Sequence, residues 1–379
     1  MTRGGLFRSL RTAASWTLVF AIGGLGAYAV WTLQRAHRLY GFLKDGGRGW
    51  SKRVYMPDGD LGFAPVPGAV GGDMLPGGPP IPTRFDQQGF RVPISDAPSD
   101  RQRPLVLALG DSFTYGAACL AEEAFPHLVA RALGGTALNA GSPSYGLAQM
   151  LILARRLIPR HAPDIVLVQH SGLVVARAQA RYAQSFFGVM PTPFFAADGA
   201  GPRLQPPPFD NRVLDLPLTE FRNTPRTVSD YASFLRRAAL PLFMHDDAAV
   251  AFVEAGQRLR LLPAVAADPE PVIRHVYSEI ADLCREHGAR MLIVLLGRPP
   301  GAERRLELQR HAAAVDAELA LCRAVDAGCE VPVLSEAYLR AYGHFRGSPP
   351  QLVDSHPNPR AHAVIAEEVL KTIRSSPAR

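Results

Sequence analysis

From Pro104 onward the sequence alternates short apolar runs with amphipathic segments, and this alternation constrains the fold more than any other feature. Five runs have the length and composition of buried strands: Pro104–Gly110, Thr136–Gly141, Asp164–His170, Met291–Gly297 and Cys329–Ser335. Helical patterns follow them at Glu122–Leu133, Leu147–Ile158, Val272–Gly288, Ala302–Val325 and after Asn358-Pro359. This order predicts a three-layer α/β/α domain with a mainly parallel sheet, over residues 104–375.

The stretch from about residue 176 to residue 270 interrupts the alternation. Within Met190–Phe209, which is rich in proline and glycine, Asp198-Gly199 predicts a turn. Thr227–Met244 has the pattern of a capped amphipathic helix. We interpret the stretch as an insertion near the active-site face, either a lid or a membrane-facing surface. Its proline content also allows a merely decorative loop.

An uncharged stretch near the N-terminus, Thr12–Leu33, is long enough to cross a bilayer as a helix. Trp16 lies near one end, and Tyr28 and Trp31 lie near the other, where aromatic rings favour the membrane interface. A cleaved signal peptide is the alternative, but the run is long for one and no small-x-small cleavage site follows. The sequence therefore predicts one transmembrane helix after a short tail, residues 1–11.

The charges that flank this helix are nearly balanced, with Arg3, Arg8 and Arg11 before it and Arg35, Arg38 and Lys44 after it. Because a short basic N-terminus usually stays inside, we expect the domain after the helix to be extracytoplasmic, in the periplasm or at the cell surface. Residues 34–103 form a connecting region. Its glycine- and proline-rich part, Gly68–Thr83, predicts a loop or an extended linker.

The formal net charge is +7, but the arginines are scattered and form no stripe with aromatic residues, so no nucleic-acid partner is expected. The four cysteines, Cys119, Cys284, Cys322 and Cys329, lack the paired spacing of a zinc site. Cys322 and Cys329 are close enough to cross-link if the domain is exported, although small buried apolar residues are an equal interpretation. Neither a glycine-rich phosphate fingerprint nor a ligand cluster indicates a cofactor.

Two motifs could carry chemistry. Gly110-Asp111-Ser112 follows the first strand directly, where a serine hydroxyl is exposed and backbone N–H groups point to the same place. Asp354-Ser355-His356 stands just before the last helix, where a carboxylate can hold the imidazole in one tautomer. Pro357 and the favoured N-cap Asn358 would restrict this backbone. Alone, each motif is also compatible with an ordinary turn or helix start.

Together, the two motifs resemble the two ends of the GDSL/SGNH hydrolase pattern, over roughly Pro104 to Ile373. The resemblance implies a flavodoxin-like α/β fold, Ser112 as nucleophile, and His356 and Asp354 as the base and acid of a triad. It also implies oxyanion donors from the backbone N–H of Ser112 and of Gly141, which follows the second strand. No metal or organic cofactor is implied.

The third block of the family pattern is missing. The family ends its third strand with a turn whose asparagine donates to the oxyanion, whereas this chain has Gln169-His170-Ser171-Gly172. Loss of such a donor lowers the rate on the order of a hundredfold or more. Ser171, His170 or Gln169 could replace it, the hole could have only two backbone donors, or activity could be weak.

The resemblance implies a membrane-anchored serine esterase or acyl hydrolase, which acts through an acyl-enzyme on an ester-bearing small molecule, a lipid or an acylated glycan. The same triad would serve an O-acyltransferase that modifies a cell-surface or exported polysaccharide, since only the acceptor differs. A catalytically silent protein that binds glycan or acts as a scaffold is the third alternative, motivated by the missing asparagine.

Overall fold

The computed structural model describes residues 14–31, 34, 54–73, 81–95, 101–185, 188–197, 201–208, 210, 250, 254–256, 258–259, 266, 268–296, 320, 330–333 and 356–375. The sequence predictions that lie largely or wholly outside these residues include the helices at Thr227–Met244 and Ala302–Val325, and the pairing of Cys322 with Cys329. Cys119 and Cys284 are buried, which agrees with their interpretation as small apolar residues.

The strands within the described ranges are β1 (Tyr55–Asp58), β2 (Gly62–Pro65), β3 (Val70–Asp73), β4 (Ile81–Phe85), β5 (Arg91–Val92), β6 (Leu105–Leu109), β7 (Thr136–Asn139), β8 (Ile165–His170), β9 (Tyr182–Ser185), β10 (Gly188–Pro191), β11 (Phe194–Ala197), β12 (Pro202–Gln205), β13 (Arg290–Leu296) and β14 (Glu330–Val333). The helices are α1 (Ala14–Trp31), α2 (Ser112–Tyr115), α3 (Phe125–Ala132), α4 (Leu147–His161), α5 (Gly172–Ala178), α6 (Pro269–Glu286) and α7 (Pro359–Ser375).

A central sheet of eight strands has the order β14-β13-β8-β6-β7-β5-β4-β3. The five strands from β14 to β7 are parallel, and all five were predicted from their apolar runs. Counted along the chain, they have the flavodoxin-like order 2-1-3-4-5, which confirms the predicted fold class. The strand order reverses between β6 and β8, and ligands of such sheets bind beyond the carboxyl ends of the strands at that point.

Each face of the sheet has its own apolar core, so the domain has three layers. On one face, α4, α5 and α6 bury residues such as Leu151, Val174 and Ile280. On the other face, α3 and α7 bury residues such as Val129 and Ile365. Because side chains of a strand alternate between faces, the parallel strands β6, β7, β8 and β13 contribute to both cores, and their sequences are therefore almost continuously apolar.

One helix predicted as continuous is divided. The Glu122–Leu133 pattern becomes a 3-10 turn, Ala121–Glu123, followed by α3, and Ala124 between them is extended with ψ 140°. Pro126 has no N–H and is favoured only in the first turn of a helix, so α3 begins at Phe125. The predicted start of α7 is confirmed, because Asn358 Oδ1 accepts from Ala361 N–H at 2.7 Å.

The connecting region predicted for residues 34–103 is corrected by the sheet. Strands β3, β4 and β5 extend it antiparallel beyond β7, so the domain begins before residue 104. Part of the predicted linker Gly68–Thr83 is therefore strand. The hairpin of β1 and β2 adds a third apolar cluster, in which Tyr55 and Phe63 join Tyr115 from α2. These aromatic residues anchor the N-terminal strands to the segment that follows Ser112.

The insertion after α5 begins with two antiparallel hairpins, β9–β10 and β11–β12, which do not join the central sheet. The strands of the second hairpin lie on either side of Asp198-Gly199, and the turn predicted there lies outside the described residues. Near the N-terminus, α1 is an 18-residue helix with a mean hydropathy of 1.4, none of which is buried against the rest of the protein. Its length and composition are sufficient to cross a membrane.

Candidate active site

The serine turn lies at the carboxyl end of β6, beside the point where the strand order reverses. Asp111 is the N-cap of α2, and its Oδ1 accepts from Phe113 N–H at 2.9 Å. Ser112 is the first residue of this four-residue helix and is 5% exposed. Helix N-termini leave N–H groups without helical partners, and side chains accept from two of them here, Asp111 from Phe113 N–H and Gln169 from Thr114 N–H.

His356 lies beside this serine. Its Nε2 is 2.8 Å from Ser112 Oγ, although the two residues are 244 positions apart. The Phe113 ring packs edge-on against the imidazole, with 5.4 Å between ring centroids. Two residues later, Asn358 caps α7 and is buried. The distance is that of a nucleophile and its general base.

Asp354, the predicted acid of the triad, lies outside the described residues. Pro357, which follows His356, is buried, so the segment enters α7 along a packed path. The pair that the structure brings together is therefore Ser112 with His356, and the role of Asp354 stays a prediction.

Gln169 is the hydrogen-bond centre of the serine turn. Its Oε1 accepts from Asp111 N–H at 3.1 Å and from both the N–H and the hydroxyl of Thr114, at 3.2 and 2.7 Å. Its Nε2 donates to Asp111 Oδ1 at 2.7 Å. A Cβ on Gly110 would lie 2.6 Å from this Oε1, so the close approach requires glycine. Gln169 holds the turn and is not free to donate to an oxyanion.

The other two third-block candidates differ in their contacts. His170 Nδ1 lies 2.6 Å from Tyr277 Oη, in the layer formed by α6, so its imidazole packs away from Ser112. Residues 169 and 170 are neighbours in β8 and therefore point to opposite faces. Ser171 is 7% exposed at the start of α5, with its Oγ 3.4 Å from Gln169 Nε2. Ser171 is the candidate of the three that these contacts leave open.

Gly141 does not supply the predicted donor in this geometry. Its N–H donates to Asn139 Oδ1 at 3.1 Å, and the Asn139 amide in turn donates to Thr114 O. A Cβ on Gly141 would lie only 2.6 Å from Tyr115 N. The position requires glycine because the loop packs against the backbone of α2, and the oxyanion assignment of Gly141 is corrected on this ground.

The turn at Ser144, three residues after Gly141, has the features expected of an oxyanion donor. Ser142 O accepts from Tyr145 N–H at 3.2 Å, and Ser144 has φ +68°, a region that disfavours side chains other than glycine. Proline followed by a residue with positive φ is the pattern of a type II turn, in which the central peptide is flipped. Within the described part of the chain, neither Ser144 N–H nor Ser112 N–H takes part in a hydrogen bond.

This turn is joined to the serine turn. Ser142 N–H donates to Gly110 O at 3.2 Å. Arg177, from α5, donates through Nη1 to Asp111 Oδ2 at 2.7 Å and to Tyr145 O at 3.2 Å. The Ser-Pro-Ser-Tyr sequence carried a turn signal that could have drawn attention to Ser144. Nothing in the sequence distinguished Arg177 from the other arginines.

Arg91 supports the far end of α2. It is fully buried and donates to the carbonyls of Tyr115, Gly116 and Cys119, with its guanidinium 4.1 Å from the centre of the Tyr115 ring. A cation that binds three carbonyls fixes the loop after Ser112 from a strand, β5, that lies outside the predicted domain. The sequence did not predict this role, because Arg91 lies in the region interpreted as a connecting segment.

Two histidines near the site have lowered pKa values. His362 Nδ1 accepts from Phe125 N–H at 3.3 Å, and burial lowers the pKa of His362 to about 3, with the charges of Arg91 and His356 acting in the same direction. Burial likewise lowers the pKa of His127 to about 4. Packing, one of the two predicted roles of His362, is thus observed. The described residues contain no group of three or more metal-binding side chains.

No protein-family model and no curated protein matches the sequence. Among solved structures, the fold is similar to TesA at 14% identity, with 72% of this chain and 98% of that chain covered and a TM-score of 0.33. It is similar to the psychrotrophic esterase EstA from Pseudoalteromonas sp. at 12% identity, covering 72% and 97%, with a TM-score of 0.35. A GDSL-like lipase from Bacteroides thetaiotaomicron matches at 12% identity, covering 72% and 88%, with a TM-score of 0.32.

Proposed function

We propose that this chain is a membrane-anchored serine esterase of the GDSL/SGNH type. The observation that carries the proposal is the 2.8 Å contact between His356 Nε2 and Ser112 Oγ at the carboxyl edge of the sheet. A serine hydroxyl is a weak nucleophile until a base takes its proton, and an imidazole at this distance is such a base. The helix α1 would serve as the anchor.

In the first step, His356 Nε2 accepts the proton of Ser112 as its Oγ attacks the ester carbonyl carbon. The tetrahedral intermediate then collapses, the bond to the alcohol oxygen breaks, and the imidazolium returns its proton to the departing alcohol. Water enters, gives its proton to His356, and releases the acid by the reverse sequence. We assign the orientation of the imidazole to Asp354, in keeping with the resemblance.

The charge on the carbonyl oxygen requires donors that point to it throughout. We assign Ser112 N–H and Ser144 N–H, because no other hydrogen bond within the described residues uses either of them. The positive φ of Ser144 supports the assignment, since unfavourable backbone geometry tends to occur at functional sites. Ser171 Oγ is the candidate for a third donor.

The test is hydrolysis of a chromogenic acetyl ester by the purified full-length chain in detergent. Replacement of Ser112→Ala or His356→Ala should lower kcat at least about a thousandfold, because the two groups act as a unit. Ser375→Ala, an exposed serine at the far end of α7, is the matched control and should retain full activity. Equal activity of Ser112→Ala and the wild type would contradict the proposal.

An added oligosaccharide separates hydrolysis from acyl transfer. A hydrolase should release the chromophore at the same rate with or without the sugar, because water is the acceptor in both cases. Faster release that requires the sugar, together with acylated oligosaccharide found by mass spectrometry, would show that the protein is an O-acyltransferase and not an esterase. The same Ser112 and His356 chemistry would then apply to a different acceptor.

A further inference from the structure

The carboxylate of Asp111 is completely buried beside the nucleophile and has partners on both oxygens. Its Oδ1 accepts from Phe113 N–H and from Gln169 Nε2. Its Oδ2 forms an ion pair with Arg177 Nη1 at 2.7 Å. A buried carboxylate without a cation is strongly destabilised, so the direction of this side chain depends on Arg177.

Arg177 also contacts the turn that carries Ser144. The same Nη1 donates to Tyr145 O at 3.2 Å. The backbones of this turn and of α5 are in close contact, since a Cβ on Gly146 would lie 2.8 Å from Arg177 Cβ. One guanidinium group thus connects α5 with two separate loops, the serine turn and the Ser142–Tyr145 turn.

The two residues that Arg177 binds are the sequence neighbours of the two assigned donors. Asp111 immediately precedes Ser112, and Tyr145 immediately follows Ser144. A shift of either loop would change the separation of the two N–H groups. Misplacement of a catalytic group by about 1 Å lowers rates on the order of a hundredfold.

We propose that Arg177 is a positioning residue, which holds Ser112 N–H and Ser144 N–H at the spacing required by one oxyanion. The proposal rests on the proposed esterase function and assigns a role that the sequence motifs did not contain. The segment that lacks the family's asparagine would then contribute through placement, with Gln169 holding one side of the serine turn and Arg177 the other.

Steady-state kinetics of Arg177→Ala and Arg177→Lys in the full-length chain test this role. Arg177→Ala should lower kcat about a hundredfold while KM changes less than about threefold, because the donors act mainly on the transition state. Arg177→Lys should recover part of the loss, since an ammonium can pair with Asp111 but lacks the planar fork. Added guanidinium ion, at concentrations that leave the wild type unaffected, should partly restore Arg177→Ala.

Arg155→Ala is the matched control, because it breaks an arginine–carboxylate pair with Glu279 away from the site. Thermal unfolding of all variants shows whether a fall in kcat comes from lower stability or from misplacement of the two N–H donors. Unchanged kcat in Arg177→Ala would overturn the proposal. A fall in kcat that parallels the fall in melting temperature, and that neither the Arg177→Lys substitution nor added guanidinium ion reverses, would also overturn it. If Arg177→Ala does not fold, kcat of Arg177→Lys decides: a loss beyond that of Arg155→Ala supports the role, and none overturns it.

Labelling by a fluorophosphonate distinguishes failure of the role proposed for Arg177 from failure of the esterase proposal. If the wild type shows no labelling that depends on Ser112, the esterase proposal fails, and the role of Arg177 fails with it. If the wild type is labelled and Arg177→Ala is labelled at the same rate, only the role of Arg177 is overturned. Labelling about a hundredfold slower in Arg177→Ala supports both.

Discussion

The serine turn and the histidine segment meet at one site but are held by different kinds of contact. Long-range side chains hold the serine turn, since Gln169 and Arg177 reach it from β8 and α5. Among the described residues, the histidine segment is held by the local Asn358 cap of α7 and by the Phe113 ring, which the serine turn itself contributes. We therefore expect substitutions around the serine turn to affect activity and stability more than those around the histidine.

The largest effect is expected from Gln169→Met, which keeps the volume of the side chain but removes its polar atoms. Asp111 N–H, Thr114 N–H and the Thr114 hydroxyl would lose their acceptor in a buried environment. Unsatisfied buried donors cost about 1–3 kcal/mol each, so we expect a loss of at least about 3 kcal/mol in unfolding free energy. Urea unfolding measures it.

Gln88→Met is the matched control, because Gln88 is exposed and its substitution removes no buried bond. If both variants lose the same stability, Gln169 is not the centre of the network. A folded Gln169→Met protein with wild-type kcat would show that the serine turn keeps its geometry without long-range support.

An intermediate effect is expected from His362→Asn, because the His362 side chain supports α7 behind the histidine segment. Burial lowers the pKa of His362 to about 3, whereas an unfolded histidine titrates near 6.5. The unfolded state therefore binds the extra proton between these values, and stability falls as the pH decreases. At pH 5 the titration of His362 lowers the unfolding free energy by about 2 kcal/mol relative to neutral pH.

An asparagine can keep the acceptor for Phe125 N–H and cannot titrate, so His362→Asn should flatten the pH dependence of the unfolding free energy by that amount. Part of the acid sensitivity should remain, because burial also lowers the pKa of His127, to about 4. Urea unfolding at pH 7.5 and pH 5 gives the difference. An unchanged difference between these two pH values would show that His362 is not neutral and buried.

The smallest effect is expected from Asn358→Ala, which removes the N-cap of α7. Loss of a cap costs about 1 kcal/mol, and Asn358→Asp, which keeps an acceptor for Ala361 N–H, should cost less. We expect kcat to fall less than about fivefold, because Phe113 still packs against His356. A fall in kcat larger than that of Gln169→Met would reverse the comparison of the two segments.

Local patterns predicted most of the framework. The five parallel strands and the α7 cap depend on residues that are adjacent in sequence or on a rule of sheet topology. The Ser112–His356 pairing was implied by the resemblance of the two motifs to the GDSL/SGNH pattern. The apolar pattern extends back to Glu122, whereas Pro126 restricts α3 to a start at Phe125, so the pattern alone places the start of the helix too early. The strands before residue 104 were missed because their glycines and prolines resemble a linker.

The supports of the serine turn could not be predicted in the same way. Arg91 and Arg177 act through long-range contacts to several groups, and each lies in a segment without a distinguishing motif. Gly141 was assigned as a donor because it follows the second strand, whereas its N–H is used by Asn139 two residues earlier. Only coordinates reveal which backbone groups are already paired and which, such as Ser144 N–H, are available.

The most direct test of the central claim is to locate the covalent adduct of a fluorophosphonate on the full-length chain. Peptide mass spectrometry should find the phosphonyl group on Ser112, because His356 Nε2 lies 2.8 Å from its hydroxyl and can take the proton. The rate of labelling should fall at least about a hundredfold in His356→Ala. An adduct on another serine, or equal labelling of Ser112 without His356, would contradict the account.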